Sequence, residues 1–169
     1  NLVTALTAGS MTFSTAGGFT KPITEGGSVG GTVTATSITL ANVGTVPSVT
    51  AYSLSVTDAL GRNWGGTLAN SQSLSAFQTG GVSNLSVSCS GACASTGTGN
   101  VQGVSIGNPT PVGMISSYKM TAGSAAVVGG WRGGGVCADS AGETCAACGA
   151  QSAVDEARCF AWQSGEPDR

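Results

Sequence analysis

The sequence predicts an all-β fold: an Ig-like or jelly-roll-like antiparallel β-sandwich of about 8–10 short strands, followed by a short Cys-rich C-terminal tail. Three observations carry this. Thr, Val, Ser and Gly dominate the chain, with few Lys, Glu or Leu-rich stretches, and Thr and Val suit a pleated, half-buried surface. Apolar and hydroxyl residues alternate in short runs, as in Tyr52-Ser53-Leu54-Ser55-Val56-Thr57, the period-two pattern of a strand with one buried face. Gly, Pro, Asn and Asp interrupt these runs about every ten residues, and no segment before the tail has a strong helical period.

In chain order, Leu2-Val3-Thr4-Ala5-Leu6 is apolar on both faces of an extended strand, so it needs cover on both sides; Met11 to Phe13 continue it. Gly17-Gly18, Pro22 and Gly26-Gly27 mark turns. Residues 29–40 form a long strand, with Val33 and Ala35 on one face and Ile38 and Leu40 on the other. That switch near Ser37 is the signature of a bulge. Residues 49–57 form a half-buried strand that ends in an Asp58-Ala59-Leu60-Gly61 turn, where Asp can bond its own backbone. Further strands are expected at 64–69, 73–77, 82–89, 101–106, 112–121 and 124–131, with a Gly/Thr-rich loop before 101. Asn108-Pro109-Thr110-Pro111 is a connector that no strand interior accepts.

The composition changes at Gly133-Gly134-Gly135. Before Cys137 the only acids are Glu25 and Asp58; afterwards come Asp139, Glu143, Asp155, Glu156, Glu166 and Asp168. The chain therefore divides into a β-sandwich at 1–132 and a Gly-hinged, acidic, Cys-rich tail at 133–169, with one short helix over 146–162.

Charge and chemistry narrow the function. The chain has no His, and charged residues make up 8% of it. That removes the usual general base and the commonest metal ligand. No Gly-x-Ser-x-Gly element is present, and the Gly-rich run from Gly26 to Gly31 lacks the Lys-Ser/Thr ending of a phosphate loop. The expectation is a protein that is not an enzyme and needs no cofactor or metal. A net charge of −2 leaves no basic footprint for nucleic acid, and no run is long and apolar enough for a membrane-spanning helix.

Cys89, Cys93, Cys137, Cys145, Cys148 and Cys159 are an even set, read as disulfide candidates of a secreted, already processed chain at the cell surface. Cys89 and Cys93 bracket a tight turn. The other four contain a single Cys-x-x-Cys spacing, where a four-thiolate zinc site normally uses two. Asn84-Leu85-Ser86 fits the N-glycosylation acceptor pattern.

The run Ser53-Leu54-Ser55-Val56-Thr57-Asp58-Ala59-Leu60-Gly61-Arg62-Asn63-Trp64 resembles the strand–turn–strand of WxL-domain-like bacterial surface proteins. Ser117-Tyr118-Lys119-Met120-Thr121-Ala122-Gly123 with Trp131, and the opening from Leu6 to Phe13, extend the likeness over residues 6–131. No Trp-x-Leu tripeptide is present, since Trp131 precedes Arg132-Gly133 and Trp162 precedes Gln163-Ser164, and the tail has no counterpart. The resemblance implies a secreted β-sandwich working at the cell surface. The low-charge, Thr/Gly-rich composition is also similar in architecture to secreted fibre subunits that lend a terminal strand to a neighbour.

Two functions follow as expectations. In the first, the chain is an extracellular structural subunit, a homopolymer partnered by itself in a pilus-like filament or surface layer. Leu2, Val3, Ala5 and Leu6 then form its exchanged assembly strand, within residues 1–13. In the second, it is a module that binds cell-wall polysaccharide, with Trp64, Tyr118 and Trp131 stacking on sugar rings. Neither involves nucleic acid or insertion into a membrane.

Overall fold

The computed structural model describes residue 6 and residues 9–80, 82–93, 95–107 and 111–137. Among the described residues, after the helical Leu6, ten β elements and one short helix follow in chain order: β1 (Met11–Phe19), β2 (Ile23–Thr24), β3 (Gly31–Val43), β4 (Val46–Asp58), β5 (Asn63–Leu68), β6 (Gln72–Ser73), α1 (Leu74–Thr79), β7 (Val82–Ser90), β8 (Ser95–Ile106), β9 (Gly113–Ala122) and β10 (Ala125–Cys137). The predicted all-β, antiparallel class holds.

Its finer arrangement is a single ladder. The order runs β1-β3-β4-β5-β7-β8-β9-β10, and β1 pairs back onto β10, with Met11 opposite Cys137 and Phe13 opposite Gly135. β2 adds to the outside of β10, and β6 adds to β4. Apart from the short β2 and β6, which lie off the ring, the strands follow one another around it in chain order, so the chain meanders up and down instead of crossing over as a jelly roll does. The turns explain this. Val43 pairs with Val46, and Ala122 with Ala125. Between them Gly44 and Gly123 take φ of 65° and 60°, which only glycine adopts freely and which suits a two-residue hairpin.

Alternation places the core inside the ring. Tyr52, Leu54 and Val56 point inward as expected, joined by Phe13, Ile38, Leu40, Val101, Met114 and Met120. The bulge in β3 falls between Val33 and Ala35, not at Ser37. Val33 and Thr36 therefore face in, and Ala35 is exposed. The outward residues of β4, β5, β7 and the first part of β8 bear mainly hydroxyls, a water-facing surface.

Three expectations are corrected. Residues 73–77 are not a strand, because Ser73 caps α1 by accepting a hydrogen bond from the Ala76 N–H. Leu74 and Phe77, three apart on one helical face, then enter the core. α1 contacts β4 and β8, beyond the last paired residues of the shorter β5 and β7, and fills the gap those strands leave in the wall. The Gly/Thr-rich stretch before Val101 is the first half of β8. Gly99 turns inward there because the Lys119 carbonyl of β9 and the Val87 and Leu85 side chains already occupy the space; a Cβ would lie 2.7, 3.1 and 3.3 Å from them. Finally, Gly133, Gly134 and Gly135 are no hinge. They lie within β10 and pair with Thr15, Ser14 and Phe13, so the ladder continues to Cys137. Residues 138–169, including the predicted helix over 146–162, and residues 108–110 of the Pro-rich connector lie outside the described residues.

The ring has two distinct ends. At one lie the 58–62 turn, the loop from Ser90 to Ser95 and the Gly123 hairpin. At the other, β1 begins, β10 finishes, and α1 and the Gly44 hairpin sit.

Candidate functional site

The Val-Thr-Asp-x-x-Gly…Trp run is a built polar cluster. Asp58 ends β4 with its carboxylate buried, 3% of the residue being exposed. Its Oδ1 accepts the backbone N–H groups of Leu60 (2.9 Å) and Arg62 (3.1 Å). Its Oδ2 accepts Arg62 Nε–H (2.7 Å) and Trp64 Nε1–H (2.8 Å). Gly61 closes the turn by donating its N–H to the Asp58 carbonyl at 3.0 Å. Burial raises the Asp58 pKa, but these hydrogen bonds outweigh it and hold the carboxyl below its usual value.

Arg62 carries the network onward. Its other two nitrogens grip Glu25 in a bidentate pair at 2.8 Å each, and its guanidinium carbon lies 5.4 Å from the centre of the Trp64 ring, within cation–π range. Glu25 Oε2 also accepts the Ala126 N–H at 3.0 Å. The Arg62 bonds, then the Ala126 bond, pull the Glu25 pKa from 4.5 to about 2. The hydrogen bonds Arg62 donates to Glu25 and Asp58 raise its own pKa despite burial. One guanidinium thus joins the β4–β5 turn, the loop after β2 and the start of β10. Both carboxylates among the described residues are committed to it.

Sequence reading singled out the Asp58 turn and Trp64 but missed Arg62 and Glu25. Scarcity was the available signal. With two acids before Cys137 and an Arg between Asp58 and Trp64, a buried charge would have to find its partner among them.

Cys89 and Cys93 are bonded across the turn after β7. Cys89 is directly opposite Trp64, so the disulfide sits beside the charge cluster. Closing so short a loop stabilises by about 2 kcal/mol in the chain-entropy account. Cys137 ends β10; its side chain, and Cys145, Cys148 and Cys159, lie outside the described residues. Among the described residues no set of three or more His, Cys, Asp or Glu could hold a metal, and no helix is long and apolar enough to cross a membrane.

The predicted sugar-stacking rings are not on the surface. Trp64, Tyr118 and Trp131 are 2, 3 and 2% exposed, and each is spoken for inside. Trp64 donates to Asp58. Trp131 Nε1 donates to the Tyr52 hydroxyl at 3.1 Å, and burial pushes the Tyr52 phenol up to about 12 against the opposing bonds from Trp131 and Ser116. The Tyr118 ring lies over Gly129, where a Cβ would come within 2.7 Å of its Cζ. Its buried hydroxyl has no hydrogen-bond partner among the described residues, and burial raises its pKa. Of the predicted assembly strand, Leu2, Val3 and Ala5 lie outside the described residues. Leu6 is helical and 3% exposed, in the core of its own chain.

Two surface features remain. Cross-strand registers line up Ser14, Ser37, Ser53, Thr67, Ser86, Thr98 and Thr121, one from each successive strand. At about 4.8 Å per strand the row runs on the order of 30 Å around the outside. No ionisable residue points outward from β3, β4, β5 or β7. On the other side an open groove of about 790 Å³ crosses β8, β9 and β10 and includes Phe19, Gln78, Gln102, Val104, Ile115 and Arg132.

Comparison with protein-family models, with curated proteins and with solved structures finds no match for this chain.

Proposed function

We propose that this chain is an extracellular structural subunit that self-assembles, in a filament or surface layer, by packing its uncharged hydroxyl face against another copy. The observation that carries this reading is the outward face of β3, β4, β5 and β7, which holds an unbroken row of hydroxyls and no charge. Such a face can be buried against its like without stranding an unpaired ion, and hydroxyls can donate and accept across the contact. The disulfide suits an oxidising compartment, in keeping with secretion.

Strand exchange has less support than face packing. Met11 to Ser14 are paired on both edges, to β3 and to β10 of the same chain, so the ring of described strands offers no vacant slot. A wall-binding module would have to use residues other than Trp64, Tyr118 and Trp131, which are all core.

Electron microscopy and sedimentation of native, non-reduced protein test the reading. Regular assemblies, lost when Ser53 and Thr67 are both replaced by Lys, are the expected result. A monomer at every concentration would overturn it.

A further inference from the structure

The barrel's charges are distributed one-sidedly. Outside the Asp58–Arg62–Glu25 cluster, the cations of the described residues are Lys21, Lys119 and Arg132. Lys119 and Arg132 point outward from β9 and β10, and Lys21 follows β1. None forms an ion pair among the described residues, because the two acids there are already engaged.

Large apolar side chains stand among these cations. Val104 and Ile115 are direct cross-strand partners, 49 and 48% exposed, and Arg132 is opposite Ile115 on the next strand. Phe19, 40% exposed, joins them in the groove. An apolar floor beside unpaired cations calls for an occupant that is both aromatic and acidic.

The chain carries such a segment. All six remaining acids lie in residues 138–169, against two cations, Arg158 and Arg169. Phe160 and Trp162 sit between Asp155-Glu156 and Glu166-Asp168. The segment continues directly from Cys137, the last residue of the strand that bears Arg132. Returning from Cys137 to Arg132 covers about 17 Å, at about 3.3 Å per strand residue. The linker before Phe160 spans several times that when extended.

We propose that residues 138–169 bind the β8–β9–β10 groove of their own barrel, with Phe160 and Trp162 against Val104, Ile115 and Phe19 and the flanking carboxylates facing Arg132 and Lys119. The proposal is independent of the hydroxyl-face reading, which concerns the other side of the ring.

Acrylamide quenching of Trp162 in the full, non-reduced chain tests it, with Trp162→Phe used to subtract the buried Trp64 and Trp131. In the wild type the Trp162 quenching constant should be several-fold below that of an exposed tryptophan. Arg132→Glu and Ile115→Asp, both surface changes, should each raise it to the exposed value while far-ultraviolet circular dichroism stays unchanged. Added salt should raise it part of the way, since ion pairing at a surface is screened. Equal quenching in wild type and both variants, whether strong or weak, would overturn the proposal. So would protection that grows with protein concentration, which would put the segment on a second copy.

Discussion

The two ends of the barrel are closed by different physics. At the end with the 58–62 turn, directional polar contacts converge: two carboxylates on one guanidinium, an indole N–H on one of them, and a disulfide alongside. At the end where β1 starts and β10 stops, closure is apolar. Leu6, Leu74 and Phe77 enter the core, and Val43, Val46 and Val112 stand half exposed around them. Polar contacts fix one geometry and are costly when half made; apolar contacts tolerate adjustment. One end is therefore specified and the other is filled, and substitutions should separate the two.

The largest effect is expected from Asp58→Ala. It leaves Arg62 Nε, Trp64 Nε1 and two backbone N–H groups without their acceptor in a buried site. Breaking a buried pair from one side costs about 3–5 kcal/mol, and urea unfolding at neutral pH would measure it. A loss under 1 kcal/mol would mean that water replaces the carboxylate and that this end is not specified by it.

Next is Phe77→Ala at the other end. Removing a fully buried phenyl ring costs about 3–5 kcal/mol, and the lower bound is expected because a helix as short as α1 can settle into the space. This loss should be the same from pH 3 to pH 8, since Glu25 and Asp58, the two carboxylates of the described residues, both bind Arg62 at the other end, whereas the Asp58→Ala loss should shrink in acid. Equal pH dependence of the two would erase the distinction between the ends.

How far this was readable in the sequence follows the same division. The inward Tyr52, Leu54 and Val56 were legible because alternation is a local property of one strand. The Asp58-x-x-Gly61 turn was legible because an Asp side chain bonds its own backbone. The Ser73–Phe77 run was misread because five residues suit either period, and only the gap between β4 and β8 selects the helix. Gly97, Gly99 and the triplet at Gly133 looked like breaks. Inside the ring, however, Gly97 and Gly99 sit where the β9 backbone at Thr121 and Lys119 comes close, and Gly133 sits where the Trp131 ring has taken the room; β9 is remote in sequence from the two glycines it crowds. Trp64, Tyr118 and Trp131 suggested a binding surface by type alone; whether an aromatic faces in or out depends on strand register. Glu25 is 37 residues from Arg62, and no local pattern links them.

The smallest and most specific effect belongs to Glu25. Its carboxyl is held at about 2 in the folded chain against an ordinary 4.5. A carboxylate with a depressed folded pKa adds stability that is fully present above its unfolded pKa. That stability fades as pH falls from about 4.5 towards 2, where the folded form must also take up the proton. Unfolding of the wild type should therefore ease progressively through this window. Glu25→Gln keeps the shape but not the charge, so it should be modestly less stable than wild type at pH 7 and converge on it near pH 2. The site is partly open to solvent, which keeps the difference at neutral pH small. Thermal unfolding of both chains at pH 7, 4 and 2.5 measures the convergence. Parallel curves with a constant gap would mean that Glu25 acts by shape, and that Arg62 holds this end of the barrel through Asp58 alone.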